Sequence, residues 1–481
     1  MSQSQRRAKI ICTIGPASQS PGMMRSMLLN GLDVARFNFS HGGPNVQQDH
    51  IANLRLVSQD LGKPVAILQD LQGPKIRTGP IAGGLITLQQ GQTFVLTTRA
   101  IPGDETAVST TYQALPRDCR RGDTILLDDG NIALQVDSVN ETDVICTVTD
   151  GGDLKPNKGI NLPGVNVSAP ALSEKDRHDV EWGIANGIDY VALSFVRHPD
   201  DVTALRNIIT ERNSTMQIIA KLEKPEAIRE LDAIMEAADG VMVARGDLGV
   251  EMAPEEVPLL QKHIIKCANE AGKIVITATQ MLESMTVNQR PTRAEATDVA
   301  NAVLDGTDAL MLSGETASGA HPLESLQMMA RIAIKVEEDQ SRTNWLERRH
   351  GHQKSKDFTT SVCEAAAHAA ARLNARAIAC FTETGGTARR LAKFRPPVPI
   401  IAFTPEASVA RHLQLVWGVQ PYIIERNDNT DQMITQADYA LMKSGYVSWG
   451  DAVVVTLGAP VALCGSTNTM KLHRIGELDI A

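Results

Sequence analysis

The chain has 481 residues, 43% hydrophobic and 21% charged, with a formal net charge of −9 and an aromatic content of 4%. That length exceeds one compact core, so two or three domains are expected, and no uncharged apolar stretch is long enough to span a bilayer. The acidic balance and the few aromatic rings argue against nucleic-acid binding, so a polyanionic ligand must meet a local cationic site.

The opening segment MSQSQRRAKIICTIG runs from two arginines straight into a strand-like stretch, without a signal-peptide core, so a cytoplasmic location is expected. Seven cysteines without a CxxC pair indicate reduced thiols, with neither a disulfide framework nor a zinc site.

In chain order, short apolar strands are expected at 9–15, 33–40, 65–70, 190–195, 217–223, 240–245, 274–278 and 308–314. All intervals but one have the length of a helix with its loops, which predicts a (β/α)8 TIM barrel, an α/β fold with a parallel sheet. The long interval between Asp70 and Tyr190 holds GPKIRTG, GLITLQQGQTFVLTT, GDTILLDDGNIALQV and DVICTVTDGG, which alternate apolar and polar residues between Gly and Asp turns. This predicts a small all-β lid domain inserted after the third strand. After Arg342 a charged stretch without period marks a domain boundary. An alanine-rich helix (TTSVCEAAAHAAARL) and the strands AIACF, PIIAF, VQPYII and DAVVVT follow, predicting a C-terminal α/β domain of the doubly wound kind. The expected division is barrel 1–70 and 171–345, lid 71–170, and last domain 346–481.

Two strand ends carry the chemistry. IIAKLEKPEA ends in Lys221 and Glu223, and VMVARGDLGVE ends near Asp247. Parallel barrels place their chemistry at the carboxyl ends of strands, where two carboxylates and a cation suit a divalent metal beside an anionic substrate. Ordinary strand-end salt bridges are the competing reading. Lys221 and Glu223, two residues apart on a strand, point the same way. Arg36, Arg77, Lys158 and Lys221 each stand beside a strand end or a glycine turn and supply a cationic site.

The motifs VARFNFSHG, LQGPKIRTG, NLPG, IIAKLEKPEAI, VMVARGDLGVE, TATQMLESM, RPTRAEATDVANAVLDGTDALMLSGETASG and TNTM together resemble the pyruvate kinase family over nearly the whole chain. The resemblance implies transfer of a phosphoryl group from phosphoenolpyruvate to ADP, giving pyruvate and ATP. It implies Glu223 and Asp247 as Mg2+ (or Mn2+) ligands, and Lys221 as a point charge against the transferring group. Arg36 would hold the substrate phosphoryl oxygens, Gly246 and Asp247 its carboxylate, and Thr279 would lie near the protonated methylene carbon. Asn38, Phe39, Ser40 and His41, with Arg77 and Lys158, would form the nucleotide site. His41 is not read as a general base, because this transfer needs little base catalysis.

Family members commonly bind K+ through residues matching Asn38, Ser40, Asp70 and the carbonyl of the next residue, here Leu71. The family's threonine and glutamate are replaced by Leu71 and Lys75, which resembles a potassium-independent branch: the Lys75 ammonium would substitute for the ion. Thr382, Thr384, Gly385, Gly386 and Thr387 resemble the family's effector-phosphate loop. Glu383 stands where users of fructose 1,6-bisphosphate carry lysine, and the loop matching Gly458 to Ser466 lacks their tryptophan and arginine. The expected effector is therefore a monophosphate, a sugar phosphate or AMP. A homotetramer is implied by resemblance. The competing functions are a metal-dependent barrel lyase acting on pyruvate or phosphoenolpyruvate, and a catalytically silent effector sensor.

Overall fold

The computed structural model describes residues 6–40, 43–342, 357–427, 429–460 and 467–477. Eight parallel strands close a barrel: β1 (Lys9–Thr13), β2 (Val34–Asn38), β3 (Ala66–Asp70), β4 (Tyr190–Leu193), β5 (Gln217–Leu222), β6 (Gly240–Ala244), β7 (Ile274–Ala278) and β8 (Ala309–Leu312). Each pairs with its neighbours in sequence order, and β1 closes on β8 through Lys9 opposite Ala309. These segments form strands because they are buried on both faces. Every residue of β1, β3, β6 and β7 is buried, which is why their middles read as apolar, with polar residues such as Lys9 and Asp70 at their ends. Two of the helices between them, Glu174–Ala185 and Arg293–Asp305, start at capping boxes, Ser173 with Asp176 and Thr292 with Glu295.

Between β3 and β4 lies a six-stranded sheet in the order Ile160–Asn161, Thr124–Leu127, Ile132–Val139, Asp143–Asp150, Thr93–Thr97, Ala107–Ser109, with Ile86–Leu88 paired to Gly152–Leu154 beside it. It has its own core, which includes Phe94, Leu134 and Val136. The short strands Ala107–Ser109 and Ile160–Asn161 are additions to the sequence reading.

The last domain contains β9 (Ala377–Phe381), β10 (Ile400–Thr404), β11 (Val419–Ile423), β12 (Ala452–Leu457) and β13 (Thr469–Arg474), in the sheet order β11-β10-β9-β12-β13. Four are parallel. β13, which is not among the expected strands, is an antiparallel edge strand.

This domain docks at the amino ends of the barrel strands. Lys9 Nζ donates to the Val419 carbonyl at 2.6 Å, Arg411 pairs with Asp189 at 2.7 Å, and Arg395 pairs with Asp308 at 2.9 Å. The Tyr190 hydroxyl donates to the His412 carbonyl. The opposite, carboxyl ends of the strands are left to the lid and the cleft. No helix among the described residues is long and apolar enough to cross a membrane.

Candidate active site

Parallel register brings the strand-end side chains together. Thr13 lies opposite Arg36 on β1 and β2, and Asn38 opposite Asp70 on β2 and β3. The buried Asp70 carboxylate joins the two cations of the mouth. It accepts from Arg36 Nε at 2.7 Å and lies 3.4 Å from Lys221 Nζ. Arg36 also donates to Thr13 Oγ1 at 2.8 Å. Lys221 donates to Ser194 Oγ at 2.7 Å and sits 2.8 Å from Glu223 Oε1.

The electrostatics follow from this packing. Burial pulls the Lys221 ammonium down, but Asp70, Glu223 and Asp247 outweigh it and hold the group above its ordinary range. Burial pushes Asp70 up, and Lys221 and Arg36 reverse that, leaving it below the usual carboxylate range. At Glu223 burial wins: its carboxyl is raised, with Lys221 opposing and Asp247 reinforcing.

Glu223 Oε2 accepts the Phe195 N–H at 2.6 Å, which fixes the carboxylate. Its Oε1 is buried and receives no well-directed hydrogen bond, although the Lys221 ammonium is near. Asp247 shares the cleft and takes no side-chain hydrogen bond from the described residues. Two carboxylates with unused oxygens fit a hard divalent cation. No group of three or more His, Cys, Asp or Glu residues capable of holding a metal occurs among the described residues, so such a cation would complete its shell with water and substrate oxygens.

Gly246 and Asp247 belong to a short helix, Arg245–Glu251, that begins where β6 ends. The Gly246 N–H donates to Thr279 Oγ1 at 2.8 Å, and that hydroxyl donates to the Ala278 carbonyl at 2.6 Å. Thr279 has a φ of 67° and Gln280 one of 53°, a left-handed conformation that costs a β-branched residue about 1–3 kcal/mol. Arg245 holds it in place. Its guanidinium donates to the Thr279 carbonyl at 2.6 Å and the Ala278 carbonyl at 3.2 Å, and pairs with Asp298 at 2.7 Å. Neither Arg245 nor Ser194 was singled out by sequence reasoning; the only signal was the arginine between VMVA and GD. Thr13, Gln47 and His50, also missed, line the same cleft.

The nucleotide candidates are less gathered. Asn38 lines the cleft, and its Oδ1 accepts the Ser40 N–H at 3.0 Å. Phe39 turns its ring into the core against Trp182, 5.7 Å between centroids, its N–H donates to the Asp70 carbonyl at 3.0 Å, and its carbonyl accepts from Lys175 Nζ at 2.9 Å. His41 lies outside the described residues. Arg77 donates to the Asn157 carbonyl at 3.0 Å, and Lys158 pairs with Asp128 at 2.7 Å, so both are engaged within the lid. Lys75 lines a neighbouring cavity under the lid with Phe195, Lys224 and Asp247. It forms no ion pair with Asp70 among the described residues. Leu71 is buried, and its carbonyl accepts from Ser194 Oγ at 2.8 Å.

In the last domain Thr382–Thr387 connect β9 to the helix Gly386–Lys393, beside the point where the strand order reverses between β9 and β12. Of these, Thr382, Glu383, Thr384, Gly386 and Thr387 line an open cleft with Arg390 and Arg426. Thr382 Oγ1 accepts the Gly385 N–H at 2.9 Å, Thr387 and Thr467 hydroxyls meet at 2.5 Å, and Glu383 pairs with Arg426 at 2.5 Å.

A phosphate-handling (β/α)8 enzyme with a lid and an accessory α/β domain is the class that this fold and site define. Family models for "Pyruvate kinase, barrel domain" and "Pyruvate kinase, alpha/beta domain" match residues 5–326 and 360–473. A pyruvate kinase of Mycobacterium tuberculosis is 48% identical over 475 residues, covering 99% of this chain and 100% of that protein. One of Geobacillus stearothermophilus is 46% identical, covering 98% of this chain and 81% of the relative. The crystal structure of a pyruvate kinase from Cryptosporidium parvum superposes with a TM-score of 0.94 at 37% identity, covering 99% of this chain and 98% of that one. The chain belongs to the pyruvate kinase family.

Proposed function

We propose that the chain transfers the phosphoryl group of phosphoenolpyruvate to ADP, forming pyruvate and ATP. The observation that carries this reading is the cluster of Arg36, Asp70, Lys221, Glu223 and Asp247 at one barrel mouth. In the reaction the bond from phosphorus to the enol oxygen breaks, a bond to an ADP β-phosphate oxygen forms, and the enolate gains a proton at its methylene carbon. Little covalent work falls to the protein, so positioning and charge stabilisation dominate.

Arg36, oriented by Asp70 and Thr13, presents its planar fork to phosphoryl oxygens. Lys221, kept protonated by its carboxylate neighbours, stabilises charge on the transferring group and the enolate oxygen. Glu223 and Asp247 would hold Mg2+ or Mn2+, which when bound neutralises phosphoryl and enolate charge. Thr279, which lines the cleft and whose carbonyl is held by Arg245, carries the hydroxyl assigned to the methylene side. The backbone at Gly246 and Asp247 is assigned to the substrate carboxylate, with the Gly246 N–H released from Thr279 on binding. Arg77 and Lys158 are assigned to nucleotide phosphates, exchanging their lid partners for ligand.

Independence from K+ has support beyond Leu71 and Lys75. Asn38 Oδ1, both oxygens of Asp70 and the Leu71 carbonyl already face donors within the chain. For the effector, Thr382, Thr384, Gly385, Gly386 and Thr387 form one phosphate-sized loop. The pairing of Glu383 with Arg426 leaves little net charge for a second phosphate, favouring a monophosphate. A homotetramer rests on family resemblance.

A lactate-dehydrogenase-coupled assay tests the main reading. Pyruvate is expected only when phosphoenolpyruvate, ADP and a divalent cation are all present. Pyruvate formed without ADP would favour a barrel lyase, and none under any condition would favour a silent sensor.

A further inference from the structure

Glu251 ends the short helix that carries Gly246 and Asp247, and its side chain is buried beneath the lid. Its Oε1 accepts from Lys224 Nζ at 2.6 Å and from Asn161 Nδ2 at 3.0 Å, while Oε2 is buried with no hydrogen-bond partner among the described residues. Three elements therefore meet on one carboxylate. Lys224 follows Glu223 at the end of β5, Glu251 belongs to the helix after β6, and Asn161 belongs to the lid strand Ile160–Asn161.

A second lid contact falls on the same helix. Gly130 faces Val250, such that a β-carbon on the glycine would stand 3.8 Å from Val250 Cγ1. Lys224 and Asp247 also line one cavity under the lid. An ammonium that turned toward Asp247 would compete for the carboxylate assigned to the divalent cation, because both are attracted by the same charge.

We propose that Glu251 is a positioning residue that holds the Lys224 ammonium off the Asp247 carboxylate and, through Asn161, makes that hold depend on a seated lid. A lid that lifts removes one donor from Glu251 and admits water, which screens its attraction for Lys224. Lys224 then shifts toward Asp247 and the cation site weakens. Linkage makes the effect reciprocal: a bound cation favours the seated lid. The inference rests on the assignment of Glu223 and Asp247 as cation ligands.

Its test reads Mn2+ binding to the full-length enzyme, without substrates, from the electron paramagnetic resonance signal of free Mn2+. Glu251→Gln is expected to weaken binding about tenfold, and adding Lys224→Gln to recover at least half of that loss on a logarithmic scale. A purely structural role predicts that the second substitution brings no recovery. Asn161→Ala, which leaves the Glu251–Lys224 pair intact, is expected to weaken Mn2+ at least threefold and to add nothing in the Glu251→Gln background. It also carries the test if Glu251→Gln does not fold. The proposal is overturned if Glu251→Gln binds Mn2+ within twofold of wild type, if Lys224→Gln recovers less than half of the loss, or if Asn161→Ala has no effect. Asp247→Asn separates the two readings: Mn2+ affinity equal to wild type there removes the ligand assignment itself.

Discussion

Replacing Asp70 with asparagine removes one negative charge while keeping the size of the side chain, so it probes the mouth without opening a cavity. Asp70 is buried, and its two oxygens face Arg36 Nε at 2.7 Å and Lys221 Nζ at 3.4 Å. Asparagine would keep one acceptor and point an amide at the other cation. A hydrogen bond to a charged group contributes about 1.5–3 kcal/mol, and loss of the one orienting Arg36 converts to roughly 10- to 150-fold in kcat/KM for phosphoenolpyruvate. Lys221 retains Ser194 and Glu223, so the loss should concentrate on Arg36 and substrate phosphate binding. The coupled assay with phosphoenolpyruvate varied at saturating ADP and Mg2+ measures it. A variant within threefold of wild type would refute the orienting role of Asp70.

Thr279→Val removes the hydroxyl assigned to the methylene side, and kcat is expected to fall about 10- to 100-fold, while Thr279→Ser stays within about fivefold. Equal losses in the two variants would remove the hydroxyl from the account. Turnover in tetramethylammonium buffer should match that in K+, and negligible rates rescued saturably by K+ would sink the potassium-independent reading. Glucose 6-phosphate or AMP should lower the half-saturating phosphoenolpyruvate concentration, an effect that Thr384→Ala diminishes. Activation by fructose 1,6-bisphosphate in place of monophosphates would contradict the loop assignment. Lys9, lowered to about 8 chiefly by burial, binds fewer protons folded than unfolded between that value and the ordinary lysine range. Its contribution to stability therefore rises with pH in that window. Chemical denaturation should show wild type gaining on Lys9→Met by at most about 1.4 kcal/mol per pH unit above pH 8, and a gap that shrinks with pH would refute it.

The barrel was legible because parallel strands buried on both faces are mostly apolar, as in Ile274–Ala278, where every residue is buried. The edge strand β13 was not, because TMKLHR is mostly half-buried or exposed and carries no apolar run. Strand-end position pointed to Lys221, Glu223 and Asp247, and the structure brings all three into one cleft. The supports of the site stayed hidden. Arg245 acts through carbonyls 33 and 34 residues away, and Glu251 meets Asn161 across 90 residues. The left-handed backbone at Thr279 has no local signature, and the groups bonded to it from Arg245 and Gly246 lie 34 and 33 residues away. Lys75 lines the cavity under the lid that Asp247 also lines, next to the Asn38 and Asp70 cleft.

Phosphorus-31 magnetic resonance of the full-length enzyme with phosphoenolpyruvate, ADP and Mg2+ tests the central assignment most directly. The phosphoenolpyruvate signal should fall as the γ-phosphate signal of ATP rises in equal amount, and Lys221→Gln should slow the exchange at least about 100-fold. Inorganic phosphate appearing in place of ATP, or an unchanged rate in the lysine variant, would contradict phosphoryl transfer by this barrel mouth.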